Sequence, residues 1–209
     1  MWNRLRYTFW APVYDAMTGA VGFEAARRRS IALLGLTGGD RVLVVGAGTG
    51  LDLLYVPDGV ETVAVDLTPA MLRRLTRRAE RASRRVGAHV MDARQLGFPD
   101  ASFEAVVMHL VLSVMDQPDL GLREAARVLR PGGRVAVFDK FLGDRERPTV
   151  GRRLLNLIAR PLFSDMNRRL GPLLAGTSLV VEHDEPAGFG GMYRIVTLGK
   201  RRQDANGNR

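Results

Sequence analysis

The sequence contains no cysteine, which excludes disulfide bonds, thiolate metal sites and a cysteine nucleophile. It also lacks any apolar run near the ~20 residues that a membrane-spanning helix needs. Lysine is nearly missing too, since Lys140 and Lys200 are the only two, so arginine supplies almost all of the net charge of +9. Such a charge indicates an anionic partner or surface and says little about the fold.

Residues 1–20 do not resemble a secretory signal, because Arg4 and Arg6 stand among aromatic residues and Pro12 follows soon after. We therefore expect a cytoplasmic protein. The same residues hold both tryptophans beside arginine. This composition favours a lid packed over a site or a helix lying on a membrane interface, with plain packing on the core as the alternative.

The stretch that organises the chain is residues 41–50, an aliphatic run followed by Gly-Ala-Gly-Thr-Gly. The run is too short and too β-branched for a helix, so it predicts a strand buried on both faces. The glycines permit a tight turn and let a ligand approach the backbone closely. A second such strand, residues 62–65, ends in Asp66, where a carboxylate is well placed to accept hydrogen bonds from two ribose hydroxyls.

The glycine spacing distinguishes between classes of nucleoside-binding protein. A dinucleotide fingerprint requires Gly-x-Gly-x-x-Gly, whereas here Leu51 holds the sixth position and Gly50 comes one residue early. This spacing disfavours an NAD-dependent dehydrogenase. A strand-to-helix turn that binds no ligand is the other alternative.

Five predicted strands alternate with helices, which favours right-handed βαβ units and a parallel sheet. The later elements are strands at residues 89–92, 104–110 and 134–139, and helices near residues 22–35, 68–85 and 118–129. Residues 178–183 and 192–198 predict an antiparallel edge pair. Ligands of such sheets bind outside the carboxyl ends of the strands, so five residues are expected to converge: Gly46, Asp66, Asp92, His109 and Asp139.

Arginine is concentrated in two of the helical segments. The helix at residues 68–85 has a single acid, Glu80, among its arginines. We interpret this as a solvated face, because a surface that binds single-stranded nucleic acid would add aromatic side chains for stacking. Residues 141–176 predict a basic amphipathic helical insert, and residues 200–209 predict a disordered tail after a single domain over residues 1–199.

Between Val42 and Lys140 the sequence resembles the class I S-adenosylmethionine (SAM)-dependent methyltransferases, in the group that includes the ubiquinone and menaquinone C-methyltransferases. The matching pieces are residues 44–50, 65–72, 92–93, 98–106 and 127–134. Residues 10–19 and 112–118 are similar to the soluble bacterial phospholipid N-methyltransferases, which methylate phosphatidylethanolamine. The resemblance implies an α/β fold with a Rossmann-like seven-stranded sheet, in which five parallel strands are joined by an antiparallel edge pair and helices cover both faces.

The resemblance assigns to SAM a set of residues that follow the first three strands: Gly46, Ala47, Gly48, Asp66, Leu67, Met71, Asp92 and Ala93. The glycine turn would face the methionine part of SAM, and Asp66 would hold the ribose hydroxyls. Leu67 and Met71 would line the adenine, whose amino group would donate to Asp92, and the backbone N–H of Ala93 would donate to the adenine. His109 would lie beside the sulfonium and act as a base for an amine, and Tyr7 and Tyr14 would close over it. No metal is expected.

The implied reaction is an SN2 methyl transfer, which releases S-adenosylhomocysteine. The first choice of acceptor is the amine of a phospholipid headgroup such as phosphatidylethanolamine. A quinone-like ring, a small soluble metabolite and a non-catalytic SAM-binding, membrane-associated protein remain as alternatives. The expected partners are a small-molecule or lipid acceptor and the cytoplasmic face of an anionic membrane, bound reversibly, with no nucleic acid.

Overall fold

The computed structural model describes residues 23–142, 168–188 and 191–201. Their helices are α1 (Phe23–Ala32), α2 (Pro69–Arg81), α3 (Pro118–Val128) and α4 (Leu170–Leu174), with a 3-10 helix at Leu51–Tyr55. Their strands are β1 (Arg41–Val45), β2 (Glu61–Asp66), β3 (Val86–Val90), β4 (Phe103–His109), β5 (Leu129–Lys140), β6 (Leu179–Pro186) and β7 (Tyr193–Lys200).

The seven strands form one sheet in the order β3-β2-β1-β4-β5-β7-β6. Strands β1 to β5 are parallel, while β7 runs antiparallel to both β5 and β6. The carboxyl ends of β3, β2, β1 and β4 therefore follow one another along a single edge. This topology confirms the predicted class I methyltransferase fold.

Helices cover both faces of the sheet, because successive side chains of each strand point to opposite faces. On one face Leu43 of β1 packs in a cluster with Leu122 of α3. On the other face Val44 packs in a cluster with Ile31 of α1 and Leu75 of α2. All of these side chains are at most 1% exposed, so β1 is buried on both faces, as its aliphatic sequence predicts.

The prediction for the fifth strand was too short, because β5 begins at Leu129 and not at Arg134. Leu129 pairs with Phe103, and both side chains are fully buried. Gly132 and Gly133 lie within the strand, and Gly132 has a φ of +78°. They accompany a register shift between Phe103 and Ala105, so the segment bulges without turning back.

Helix α2 and strand β3 also differ in their bounds from the prediction. Helix α2 ends at Arg81, four residues before the predicted end, because the chain enters the left-handed region at Ser83 (φ +52°). Strand β3 begins earlier than predicted, at Val86, where it pairs with Thr62 of β2.

Several predicted segments lie outside the described residues: the lid over residues 1–20, including Tyr7 and Tyr14, residues 143–167 of the insert, and residues 202–209 of the tail. In the described part of the insert, Phe141 and Leu142 are buried, and Leu170 of α4 joins the same core cluster as α3. Lys200 belongs to β7. None of the helices in the described ranges is long and apolar enough to cross a membrane.

Candidate active site

The glycine turn after β1 needs glycine for its backbone angles, since Gly46, Gly48 and Gly50 have φ values of +64°, +53° and +82°. Gly46 and Gly50 are also closely packed against neighbouring side chains. A Cβ on Gly46 would lie 2.4 Å from Val111 Cγ2, and one on Gly50 would lie 2.8 Å from Leu75 Cγ. By contrast, a Cβ on Gly48 would meet nothing closer than 4.0 Å. The backbone at Gly48 is therefore open to the approach of a ligand.

Asp66 ends β2 beside this turn and is tied to it by hydrogen bonds. Its Oδ2 accepts from the N–H of Gly48 at 2.9 Å, and its Oδ1 accepts from the N–H of Thr68 at 2.8 Å. Burial raises the pKa of Asp66, although these two bonds oppose the rise. Each carboxylate oxygen has a second lone pair, so Asp66 can still accept from the two hydroxyls of a ribose.

Apolar side chains border Asp66 on the side towards β3. Leu67 is 41% exposed and Val90 is 50% exposed, so both present apolar surface at this edge of the sheet. Met71 and Ala93, the other residues assigned to the adenine, are buried. The surface beside Asp66 thus suits a flat apolar ring.

Asp92 follows β3 at the same edge, but its carboxylate already has a partner. Arg94 donates from Nη2 to Oδ2 at 2.7 Å and also from Nε and its backbone N–H. These bonds lower the pKa of Asp92. Both side chains are about one-third exposed, and ion pairs at such positions contribute only about 0–1 kcal/mol. A ligand amino group can therefore share this carboxylate at little cost.

His109 ends β4 on the other side of the glycine turn and is fully buried. Its Nδ1 lies 2.7 Å from Asp52 Oδ1, and its Nε2 lies 3.0 Å from Ser30 Oγ. Arg27 Nη1 also donates to Asp52 Oδ1, at 2.6 Å. The structure thus places His109 at the predicted edge of the sheet, with both ring nitrogens hydrogen-bonded to protein side chains. The role of His109 as a base remains a prediction.

The sequence reasoning missed Arg27, Ser30 and Asp52, although α1 carried a signal. Its buried residues are Phe23, Arg27, Ser30 and Ile31, a spacing that marks one helix face. An arginine on the buried face of a helix is rare unless a buried acid pairs with it. The signal therefore predicts a partner without identifying it.

At the end of β5, Asp139 reaches the expected edge and is fully buried. It accepts from the N–H of Ser113 at 2.9 Å and from that of Lys140 at 2.7 Å. Burial raises the pKa of Asp139, although these hydrogen bonds oppose the rise. Burial also lowers the pKa of Lys140. Lys140 Nζ lies 5.5 Å from the ring centroid of Tyr193, whose pKa burial raises to about 12. Polar groups thus gather at this end of the edge.

Metal ligands do not assemble in the part of the chain that the structure describes. No group of three or more His, Asp or Glu side chains in these ranges is arranged to hold a metal ion.

Comparison with known proteins identifies relatives over most of the chain. A family model described as a methyltransferase domain matches residues 43–137. The chain is 32% identical over 197 residues to the phosphatidylethanolamine N-methyltransferase of Cereibacter sphaeroides, covering 93% of this chain and 96% of that protein. It is also 32% identical over 172 residues to the demethylmenaquinone methyltransferase of Thermus thermophilus, covering 79% of this chain and 75% of that protein.

Solved structures share the fold at low identity. The YcgJ protein of a Bacillus species superposes with a TM-score of 0.71 at 18% identity, over 86% of this chain and 99% of that one. A geranyl diphosphate C-methyltransferase of Streptomyces coelicolor, solved with S-adenosylhomocysteine, has a TM-score of 0.71 at 16% identity, over 84% of this chain and 75% of that one. These likenesses show the fold alone.

Proposed function

Because this chain belongs to the class I SAM-dependent methyltransferases, we propose that it methylates the amine of a phospholipid headgroup such as phosphatidylethanolamine. The observation that carries the acceptor is the likeness to a phosphatidylethanolamine N-methyltransferase over nearly the full length of both chains. The likeness to the menaquinone enzyme covers less of both chains, so it favours a quinone-like ring only as the second candidate.

The residues at the edge of the sheet fit SAM. The open backbone at Gly48 would lie against its methionine part, and Asp66 would accept from the ribose hydroxyls. Leu67 would be covered by the adenine, whose amino group would share Asp92 with Arg94. SAM supplies a methyl carbon that its positive sulfur has already activated. The protein's part is to align the acceptor with that carbon and to exclude water.

The acceptor would enter beside β5 and β7, where the polar groups gather. Lys140 and Tyr193 are half-buried at facing positions of these two strands. An ammonium group suits the phosphate of a phospholipid headgroup, and a phenolic hydroxyl can donate to the same oxygens. A neutral quinone ring offers neither group a charged partner.

Transfer of labelled methyl from SAM tests the acceptor. We expect label in the lipid phase when the protein is given phosphatidylethanolamine vesicles. Parallel reactions contain demethylmenaquinone in the same vesicles or an aqueous extract of small metabolites. Label found only in water-soluble products would end the lipid proposal, and label in the quinone alone would replace it with the second candidate.

We also propose reversible docking on an anionic membrane, which would bring the site to its lipid. The proposal comes from the sequence, since residues 1–20 and 150–163 lie outside the described residues. Each arginine near an anionic leaflet contributes about 1 kcal/mol. Binding to vesicles should therefore rise with the anionic lipid fraction and weaken with added salt. It should fall in the double variant Arg152→Glu/Arg153→Glu.

A matched control comes from α2, where Arg73 and Arg74 are exposed. The double variant Arg73→Glu/Arg74→Glu makes the same change of charge at another site. Co-sedimentation measures both variants. An equal loss in the two would show that net charge alone attracts the vesicles. Equal binding of the wild type to neutral and anionic vesicles would contradict docking through arginine.

A further inference from the structure

A buried polar network joins three parts of the chain that border the site. Asp52 lies in the 3-10 helix two residues after Gly50, His109 ends β4, and α1 contributes Arg27 and Ser30. All four residues are at most 5% exposed. The carboxylate of Asp52 is the centre of the network, since one oxygen accepts from both Arg27 and His109.

The protonation of the network follows from its bonds. Burial alone would raise the pKa of Asp52, but His109 and Arg27 outweigh it and lower that pKa well below its usual range. Asp52 is therefore ionised and can only accept hydrogen bonds. His109 therefore donates to it from Nδ1–H, while Nε2 lies within hydrogen-bond distance of the Ser30 hydroxyl. Ser30 is 0% exposed, so this serine–histidine–aspartate series presents no nucleophile to a substrate.

The hydrogen bond between Asp52 and His109 joins two segments that flank the glycine turn: the 3-10 helix that follows it and the loop after β4. Asp52 follows the far end of the turn. His109 precedes Leu110, which has a φ of +55°, and Val111, which packs against Gly46. A non-glycine residue held at positive φ costs about 1–3 kcal/mol and persists only when its surroundings fix it. The network supplies one such constraint directly beside the strained residue.

We propose that Asp52 is a positioning residue for the cofactor site, holding the glycine turn and the loop after β4 at a fixed separation through His109. The inference rests on SAM binding at this edge of the sheet. A buried ion pair is by itself weak evidence of stabilisation, because apolar side chains of similar volume often stabilise as much. Its position between the two loops is what gives it a functional meaning. His109 then acts through Asp52 and not on the acceptor.

Two substitutions of His109 separate this role from catalysis. The amide nitrogen of asparagine is as many bonds from Cα as Nδ1, and that of glutamine as many as Nε2. His109→Asn therefore keeps a donor for Asp52, whereas His109→Gln removes it. We expect His109→Gln to raise the dissociation constant for SAM about tenfold or more, and His109→Asn to recover most of that loss.

Calorimetric titration with SAM measures both variants, and thermal unfolding measures their stability. Val196→Ala is the matched control, because Val196 is buried in β7, two strands beyond β4. It should lose stability without losing SAM affinity. If His109→Gln does not fold, Asp52→Asn, which keeps the volume but not the charge, carries the same comparison.

SAM affinity that follows stability equally in all variants would reduce the network to a structural role and overturn the proposal. Unchanged SAM affinity with methyl transfer lost in both His109 variants would make His109 the base and overturn it too. The acceptor does not enter these titrations, so a failed lipid assay leaves their outcome intact. Failure of the wild type to bind SAM would instead contradict the cofactor assignment.

Discussion

Alanine in place of Asp66 is expected to weaken SAM binding by about 100-fold, since each hydrogen bond to a charged group contributes about 1.5–3 kcal/mol. The variant removes the acceptor for both ribose hydroxyls. It also leaves the N–H groups of Gly48 and Thr68 without the carboxylate that accepts from them, which frees the turn to move. Calorimetry with SAM, S-adenosylhomocysteine and NAD measures the effect and checks the choice of cofactor.

The control is Asp58→Ala, which removes the same charge from a side chain that is 95% exposed and pairs only with Arg84 among the described residues. It should bind SAM like the wild type. Because burial raises the pKa of Asp66, wild-type affinity should also fall as the pH is lowered towards that raised value. The Asp66→Ala variant should lack this fall. Affinity within about twofold of the wild type would show that Asp66 does not hold the ribose.

The positions in the fold that the sequence predicts best are those that follow directly from one short stretch of residues. The glycine turn and Asp66 each follow a short, β-branched aliphatic run, and a run of that length and composition favours a buried strand over a helix. Once strands are parallel, their carboxyl ends must meet at one edge. The placement of Asp92, His109 and Asp139 at that edge therefore needed no knowledge of side-chain packing.

What escaped prediction depends on packing between distant segments. Ser30 and His109 are 79 residues apart, and no local pattern connects them. Arg94 occupies the carboxylate of Asp92 from only two residues away, yet nothing in the sequence shows which rotamer it adopts. The start of β5 was missed because Pro-Gly-Gly usually marks a turn, whereas the burial of Leu129 against Phe103 outweighs that local preference.

Alanine at Gly46 is expected to have the largest effect on both folding and binding. Its Cβ would lie 2.4 Å from Val111 Cγ2, and Gly46 has a φ of +64°. The strained φ costs about 1–3 kcal/mol, and overpacking adds about 1–3 kcal/mol. We therefore expect the free energy of unfolding to fall by about 2–6 kcal/mol, which denaturant titration without SAM measures. SAM binding should be lost, because the loop after β4 is pushed away from the turn.

Gly48→Ala is the matched control, because Gly48 has a similar φ of +53° but open space where a Cβ would lie. It shares the conformational cost and lacks the clash with the protein. Its loss of stability should therefore be smaller than that of Gly46→Ala by about 1–3 kcal/mol. Its SAM affinity should nevertheless fall, since the added methyl group occupies the surface that we assign to the ligand.

Removing the side chain of Val111 should rescue Gly46→Ala if the clash is the cause. In the double variant Gly46→Ala/Val111→Gly, the atoms nearest to the new Cβ are gone. The two substitutions should thus be less harmful together than the sum of their separate effects, with a coupling energy of about 0.5–3 kcal/mol. The cost of the positive φ remains in the double variant, so the rescue should be partial. Strictly additive effects would show that Val111 does not press on the glycine turn in solution.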